Sequence, residues 1–301
     1  MIGTRPGNRR IFGMPPPVAL LLPWAIVYAA FFVYPFVYSF LLGFQHFNPL
    51  NPERSYWVGA ANIRRLLHDP VFRGALRNTL LFVGATVPVT TAAALALATL
   101  IRKPFAGRNV FQSLIFLPSV LSMVVIALLF KLFYAPSGAL NTFLVSLGAS
   151  GHGWLTDPHT ALAAIMAMDV WSAVGYYAII FHAAYAAIPG ELYEAASLEG
   201  AGAWALFRHV TLPMMRPVVG FVVIINAIRS FQVFVEVFVM TQGGPLRSTN
   251  TLVLYLYEMA FRRLDYGYAS VIAYSVFVLS AVFSVLAVRR LRPRYAQTGV
   301  S

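Results

Sequence analysis

Six long stretches of the chain are almost free of charge, and nothing else constrains its fold as strongly. They run from Val18 to Phe44, Thr79 to Ile101, Val110 to Tyr134, Ala161 to Ala187, Met214 to Met240 and Tyr268 to Val288. Each exceeds the ~20 mostly apolar residues that a helix needs to cross a bilayer. In lipid the backbone has no water to bond, so such a stretch closes its own hydrogen bonds as a helix. The predicted fold class is therefore an all-α integral membrane protein with six transmembrane helices, one transmembrane domain over residues 1–301. Composition agrees: 59% of residues are apolar and only 11% charged, against about a quarter charged in a soluble domain. Pro23, Pro35 and Pro88 fall inside spans, where packed helices absorb a kink.

Several classes drop out. There is no cysteine, so disulfides and thiolate metal sites are excluded. The basic start (Arg5, Arg9, Arg10) precedes an apolar run too long for a signal peptide, with no small-residue cleavage site after it. The net charge is +12. In so apolar a chain this reads as flanks at an anionic membrane surface, and no basic stripe with stacking aromatics points to nucleic acid. The six histidines show no ligand spacing, so no metal is expected, and no Ser-His-Asp pattern appears.

Six spans put both termini on one side. With cytoplasmic termini, the cytoplasmic segments hold Arg5, Arg9, Arg10, Arg102, Lys103, Arg108, Arg208, Arg216, Arg289, Arg290, Arg292 and Arg294, twelve basic residues against eight outside. The positive-inside rule therefore predicts cytoplasmic termini. The longest external loop, Phe47 to Asn78, contains Ile63, Leu66, Leu67 and Val71 at helical spacing, interrupted by Pro70, and reads as a short surface helix.

One polar island stands out on the predicted cytoplasmic side, between the fourth and fifth spans. Residues 189–213 read PGELYEAASLEGAGAWALFRHVTLP. Pro189 and Gly190 punctuate the entry. Glu191 and Glu194 lie in the first turns, where the helix dipole favours acids. Gly200 and Gly202 break the run. Leu206, Phe207, Val210 and Leu212 make an apolar side, and Pro213 closes the segment. This is a helix, a break and a helix, suited equally to a docking surface and to an ordinary interfacial loop.

The spacing decides between them by resemblance. Glu194-Ala195-Ala196, then Gly200, Val210 and Leu212-Pro213 resemble the EAA loop of the membrane subunits of bacterial ABC importers, with Val in place of Ile. Gly243-Gly244-Pro245, Thr251 and Tyr255 are similar to the segment after the fifth span in the carbohydrate-type (maltose and glycerol-3-phosphate) permeases, and Asn78-Thr79 to their second-span entry. The likeness covers nearly the whole chain.

It implies a type I ABC importer permease fold in the cytoplasmic (inner) membrane of a bacterium. The implied partners are a second homologous permease, two copies of a cytoplasmic ABC ATPase and an extracytoplasmic solute-binding protein. The segment becomes a coupling helix, with Glu191, Glu194, Ala195, Ala196, Glu199, Gly200, Ala201, Leu212 and Pro213 as ATPase-coupling positions. Glu194 would make polar contact and Gly200 the sharp turn. ATP and Mg would be held by the ATPase. The chain itself has no G-x-x-x-x-G-K-[ST] cradle and is not expected to be an enzyme.

Polar groups inside spans mark a pathway or a packed pair. Arg229 and Glu236 are seven residues apart, one face of a helix, with Asn226 on it and Gln232 beside it. At 1.5 Å per residue they lie ~10 Å apart along the axis. The fourth span offers Asp169, Ser172 and Tyr176, with Trp171 and Tyr177 near. Such groups suit a sugar, whose hydroxyls need hydrogen bonds and whose C–H faces pack on aromatics. Lining a solute pathway and bracing the helices are both open. Lys131, near a span end, reads as a snorkelling side chain. The expected solute is a di- or oligosaccharide. Glycerol-3-phosphate or a glycerophosphodiester is the alternative, and Arg229 would suit an anion. The competing class is an ion-coupled secondary transporter using Asp169, Arg229 and Glu236 as a relay. No catalytic constellation supports a membrane-embedded enzyme.

Overall fold

The computed structural model describes residues 16–102 and 105–291. Arg5, Arg9, Arg10, Lys103, Arg292 and Arg294 lie outside the described residues. Five helices are long and apolar enough to cross a membrane, and six when one bent pair counts as a single span. The first span, Leu20–Leu42, stands largely clear of the body. The second, Pro70–Leu100, and fourth, Ala161–Ala186, form the centre. The fifth is Ala203–Phe231 and the sixth Tyr266–Arg290. The third is the bent pair Arg108–Val120 and Met123–Phe133.

Three boundaries differ from those read in the sequence. The second span starts at Pro70 rather than Thr79. Asp69 caps it by accepting a 2.8 Å hydrogen bond from Val71 N–H, and Pro70 occupies the first turn, where a missing N–H costs nothing. The predicted surface helix is Ala61–His68, so Val71 belongs to the span.

The third span is not one helix. Its halves meet at 101°, because Leu121 and Ser122 are both extended (ψ 149° and 135°) three residues after a helix-interrupting proline, Pro118.

The fifth span starts at Ala203, eleven residues before the predicted Met214, and ends at Phe231 instead of Met240. Pro213 sits within this continuous helical run rather than closing the segment. Gln232 and Val233 donate back to the Arg229 and Ser230 carbonyls in a tight final turn. A separate short helix, Val235–Met240, follows. Arg229 and Glu236 therefore do not share one helix face.

Side-chain hydrogen bonds stitch the spans together where lipid supplies none. Thr86 Oγ1 lies 3.3 Å from Ser230 Oγ, joining the second and fifth spans. Leu252 N–H donates to Thr79 Oγ1 at 3.0 Å. Asn78 Nδ2 donates to the Arg247 and Asn250 carbonyls at 3.2 and 2.9 Å, so Asn78-Thr79 pins the loop after the fifth span to the second. Gly175 lets the fourth span approach the first half of the third: a Cβ there would stand 2.1 Å from the Ile115 carbonyl oxygen.

A knot closes the predicted outer end. Asp69 Oδ2 accepts hydrogen bonds of 2.5 Å from both Tyr255 Oη and Tyr268 Oη. Arg65 pairs with Asp265 at 2.6 Å and lies over the Tyr268 ring. Partial burial of Asp69 raises its pKa, but the hydrogen bonds from Tyr255, Tyr268 and the Val71 and Phe72 N–H groups outweigh it, leaving the pKa below its ordinary 3.8.

A folded pKa below the unfolded one gives stability that is whole above the unfolded value and lost as pH falls through the folded one. The melting-temperature gap between wild type and Asp69→Asn in detergent should hold constant above about pH 4 and shrink on further acidification. A gap that ignores acidification would refute the charged role of Asp69.

Candidate functional site

Two constellations hold the polar residues singled out in the sequence. The first is the segment at 189–213. Helix Gly190–Leu198 begins after Pro189 and carries Glu191 in its first turn. It ends in a tight reversal: Gly200 N–H bonds to the Ser197 carbonyl and Ala201 N–H to the Ala196 carbonyl, both at 3.0 Å. This Schellman arrangement needs a left-handed residue, and Gly200 has φ +83°. A Cβ at Gly200 would meet nothing within 4 Å. Glycine is therefore required by backbone conformation and not by space, and an alanine would cost ~1–2 kcal/mol.

This helix buries none of its residues. Glu191, Glu194, Ala195, Glu199 and Gly200 are exposed, Ala196 and Ala201 half-buried. Leu198 is 90% exposed and Trp204 70%. Acids and large apolar groups thus share one outward surface. Leu212 and Pro213 lie apart from it, half-buried in the fifth span.

The second constellation lies within the bundle. Arg229 Nη2 donates to Asp169 Oδ1 at 2.6 Å and stands 3.6 Å from Glu236 Oε1. Asp169 is only 1% exposed. The ~10 Å expected between Arg229 and Glu236 along a single helix is removed by the break at 232–234, which turns Glu236 back toward the arginine. Two carboxylates thus share one guanidinium, and Asp169 Oδ2 and Arg229 Nη1 are buried without a hydrogen-bond partner.

Two cavities meet at Arg229. One, ≈ 330 Å³, lies among Pro118, Ser119, Met123, Ser172, Tyr176 and Arg229. The other, ≈ 470 Å³, lies among Met123, Arg229, Gln232, Phe234 and Glu236. Ser172, Tyr176, Arg229, Gln232 and Glu236 are thus brought to connected space, with Asp169 behind them. Two expected residues are not. Trp171 turns outward onto Phe130, with ring centroids 5.2 Å apart, and Asn226 is fully buried and lines neither cavity. Sequence reasoning missed Pro118, Ser119 and Met123, which the bend of the third span delivers to the cavity. The proline followed by two serines inside an apolar run was the available signal. Among the described residues no group of three His, Cys, Asp or Glu side chains is placed to hold a metal ion.

Comparison with known proteins fits this geometry. Residues 89–297 match the family described as the inner membrane component of binding-protein-dependent transport systems. The chain is similar to the lactose transport system permease protein LacF of Rhizobium radiobacter, at 36% identity over 90% of this chain and 92% of that protein. It is also similar to the arabinooligosaccharides transport system permease protein AraP of Bacillus subtilis, at 30% identity over 91% of this chain and 87% of that one. A chain of a bacterial alginate ABC transporter shares the fold, with TM-score 0.82, 24% identity, and coverage of 94% of this chain and 96% of that one. The resemblance read from the spacing at Glu194–Pro213 is borne out, and the chain belongs to the inner-membrane components of binding-protein-dependent transport systems, as a permease and not a catalytic subunit.

Proposed function

We propose that this permease passes a sugar, a di- or oligosaccharide, across the inner membrane as one half of an ATP-driven importer. The observation that carries the reading is the pair of cavities meeting at Arg229. Their walls combine aromatic faces (Tyr176, Phe234) with hydrogen-bonding groups (Ser119, Ser172, Gln232, Glu236), the mixture that a sugar ring requires. The buried, unpartnered Asp169 Oδ2 and Arg229 Nη1 supply further bonding capacity to a hydroxyl entering the bundle. The solutes in the names of LacF and AraP, lactose and arabinooligosaccharides, support the same class. Arg229 is already engaged by two carboxylates, which weighs against a phosphate-bearing solute. Asp169, Ser172, Tyr176, Arg229, Gln232 and Glu236 line or support the pathway, while Trp171 and Asn226 pack outside it.

In this reading both termini are cytoplasmic. A second permease completes the pathway, and a solute-binding protein delivers at the Asp69 end. Two ATPase copies, which hold ATP and Mg, grip residues 189–213. Glu191, Glu194 and Glu199 offer polar contacts, and Gly200 sets the turn.

Single cysteines test the pathway in a background that has none. Positions 176, 229 and 236 should react with a water-soluble maleimide in at least one nucleotide state, and position 226 in none. Silence at 229 and 236 in every state sinks the pathway reading. Replacing Glu194 and Gly200 by leucine should leave the protein inserted and cut transport per ATP hydrolysed by about tenfold, ~1.4 kcal/mol of lost coupling. Unchanged transport in that double variant contradicts the coupling role.

A further inference from the structure

A helix that buries nothing is held by its few directed contacts. Among the described residues, Tyr193 is the only side chain of Gly190–Leu198 that hydrogen-bonds to a residue outside that helix. Its hydroxyl lies 2.9 Å from Thr211 Oγ1. Thr211 is 2% exposed and ends the widened turn Phe207–Thr211 at the base of the fifth span. The Arg102 guanidinium lies 3.8 Å from the centroid of the Tyr193 ring. Arg102 follows the last turn of the second span, and it also approaches the ring of Tyr185, at 5.5 Å, in the last turn of the fourth. Tyr185 Oη in turn stands 2.6 Å from Thr99 Oγ1 of the second span. The second and fifth spans thus meet on one ring of the segment at 189–213, and the fourth joins them through Arg102.

We propose that Tyr193, clasped between Arg102 and Thr211, is the tie through which movement of the 190–198 helix reaches the spans. This rests on the coupling reading of that segment and assigns its transmission to a residue outside the seven motif positions. The tie is directional. A hydrogen bond fixes the hydroxyl end to the base of the fifth span. The cation–π contact lets the ring slide under the guanidinium without losing it. A push on Glu194 or Leu198 from below is then delivered at one point shared by three spans, and those spans continue upward to Thr86, Ser172 and Arg229. Tyr193 touches no solute and is a positioning residue.

The test uses the whole transporter, with its ATPase and receptor, in proteoliposomes. A single Ser119→Cys on the cavity wall reports movement through its rate of labelling by a membrane-impermeant maleimide. Rates are compared with and without Mg-ATP and vanadate. With Tyr193 intact, the two states should differ by about fivefold or more, the low end for one coupling interaction. Tyr193→Ala should bring the ratio close to one while the ATPase still co-purifies and hydrolyses ATP. Tyr193→Phe, which keeps the ring under Arg102 and is isosteric enough to fold, should fall between. Adding Arg102→Ala to Tyr193→Ala should change little more, since both act through one contact. A full labelling ratio in Tyr193→Ala with the ATPase bound overturns the tie. So does loss of ATPase binding in that variant, which would make Tyr193 part of the docking surface. A ratio of one with Tyr193 intact overturns the coupling reading itself, and the tie with it.

Discussion

The charge cluster, two buried carboxylates on the half-buried Arg229, sets the terms for the rest of the bundle. Arg229 lies between Asp169 and Glu236, the two buried carboxylates of the bundle. A lone carboxylate in such surroundings costs several kcal/mol, and only partners or water offset it. Satisfying both carboxylates with one guanidinium requires the fourth and fifth spans to meet at one level. It also requires the fifth to stop at Phe231, so that Glu236 can turn back. The break that looks like a flaw in a transmembrane helix is what brings the second carboxylate within 3.6 Å. The bend of the third span at Leu121–Ser122 then leaves open space beside the cluster instead of a packed wall.

The surface predicted to face the cytoplasm follows the opposite rule. The 190–198 helix has no core and is shaped by backbone chemistry: Pro189 before it, a left-handed Gly200 after it, and alanines that keep its profile small. Leu198 and Trp204 stay exposed beside the acids of this helix. Between this surface and the charge cluster run three spans joined by hydroxyl contacts, Thr99 to Tyr185 at the end nearer residues 189–213 and Thr86 to Ser230 beside Arg229. A bundle stitched by a few directed contacts can move as a unit without repacking its apolar clusters.

Much of this was legible in the sequence, and the failures have physical causes. Apolar runs mark spans because lipid forbids anything else, and the spacing at Glu194–Pro213 marks the family. Helix ends were misplaced where local chemistry overrode hydropathy. Asp69 caps Pro70 and draws nine polar-flanked residues into the second span. The fifth-span helix runs back through Phe207–Thr211 because no residue there prevents it. The breaks at 121–122 and 232–234 are invisible to hydropathy, since apolar residues continue through both. Only Pro118 hinted at the first. The second has neither glycine nor proline and is set by the tertiary pull of Arg229 on Glu236. Trp171 and Asn226 do not line the two cavities, because an aromatic or polar residue on the right helix can still face outward or into the core.

Reconstitution decides most directly whether this permease is driven by a partner ATPase. The chain, its homologous permease and the ATPase are placed in liposomes with receptor and receptor-bound sugar. The structure-based account predicts sugar accumulation that requires ATP hydrolysis and stops when the ATPase is omitted. Accumulation by the chain without any ATPase, driven by an ion gradient and abolished by Asp169→Asn, would contradict it.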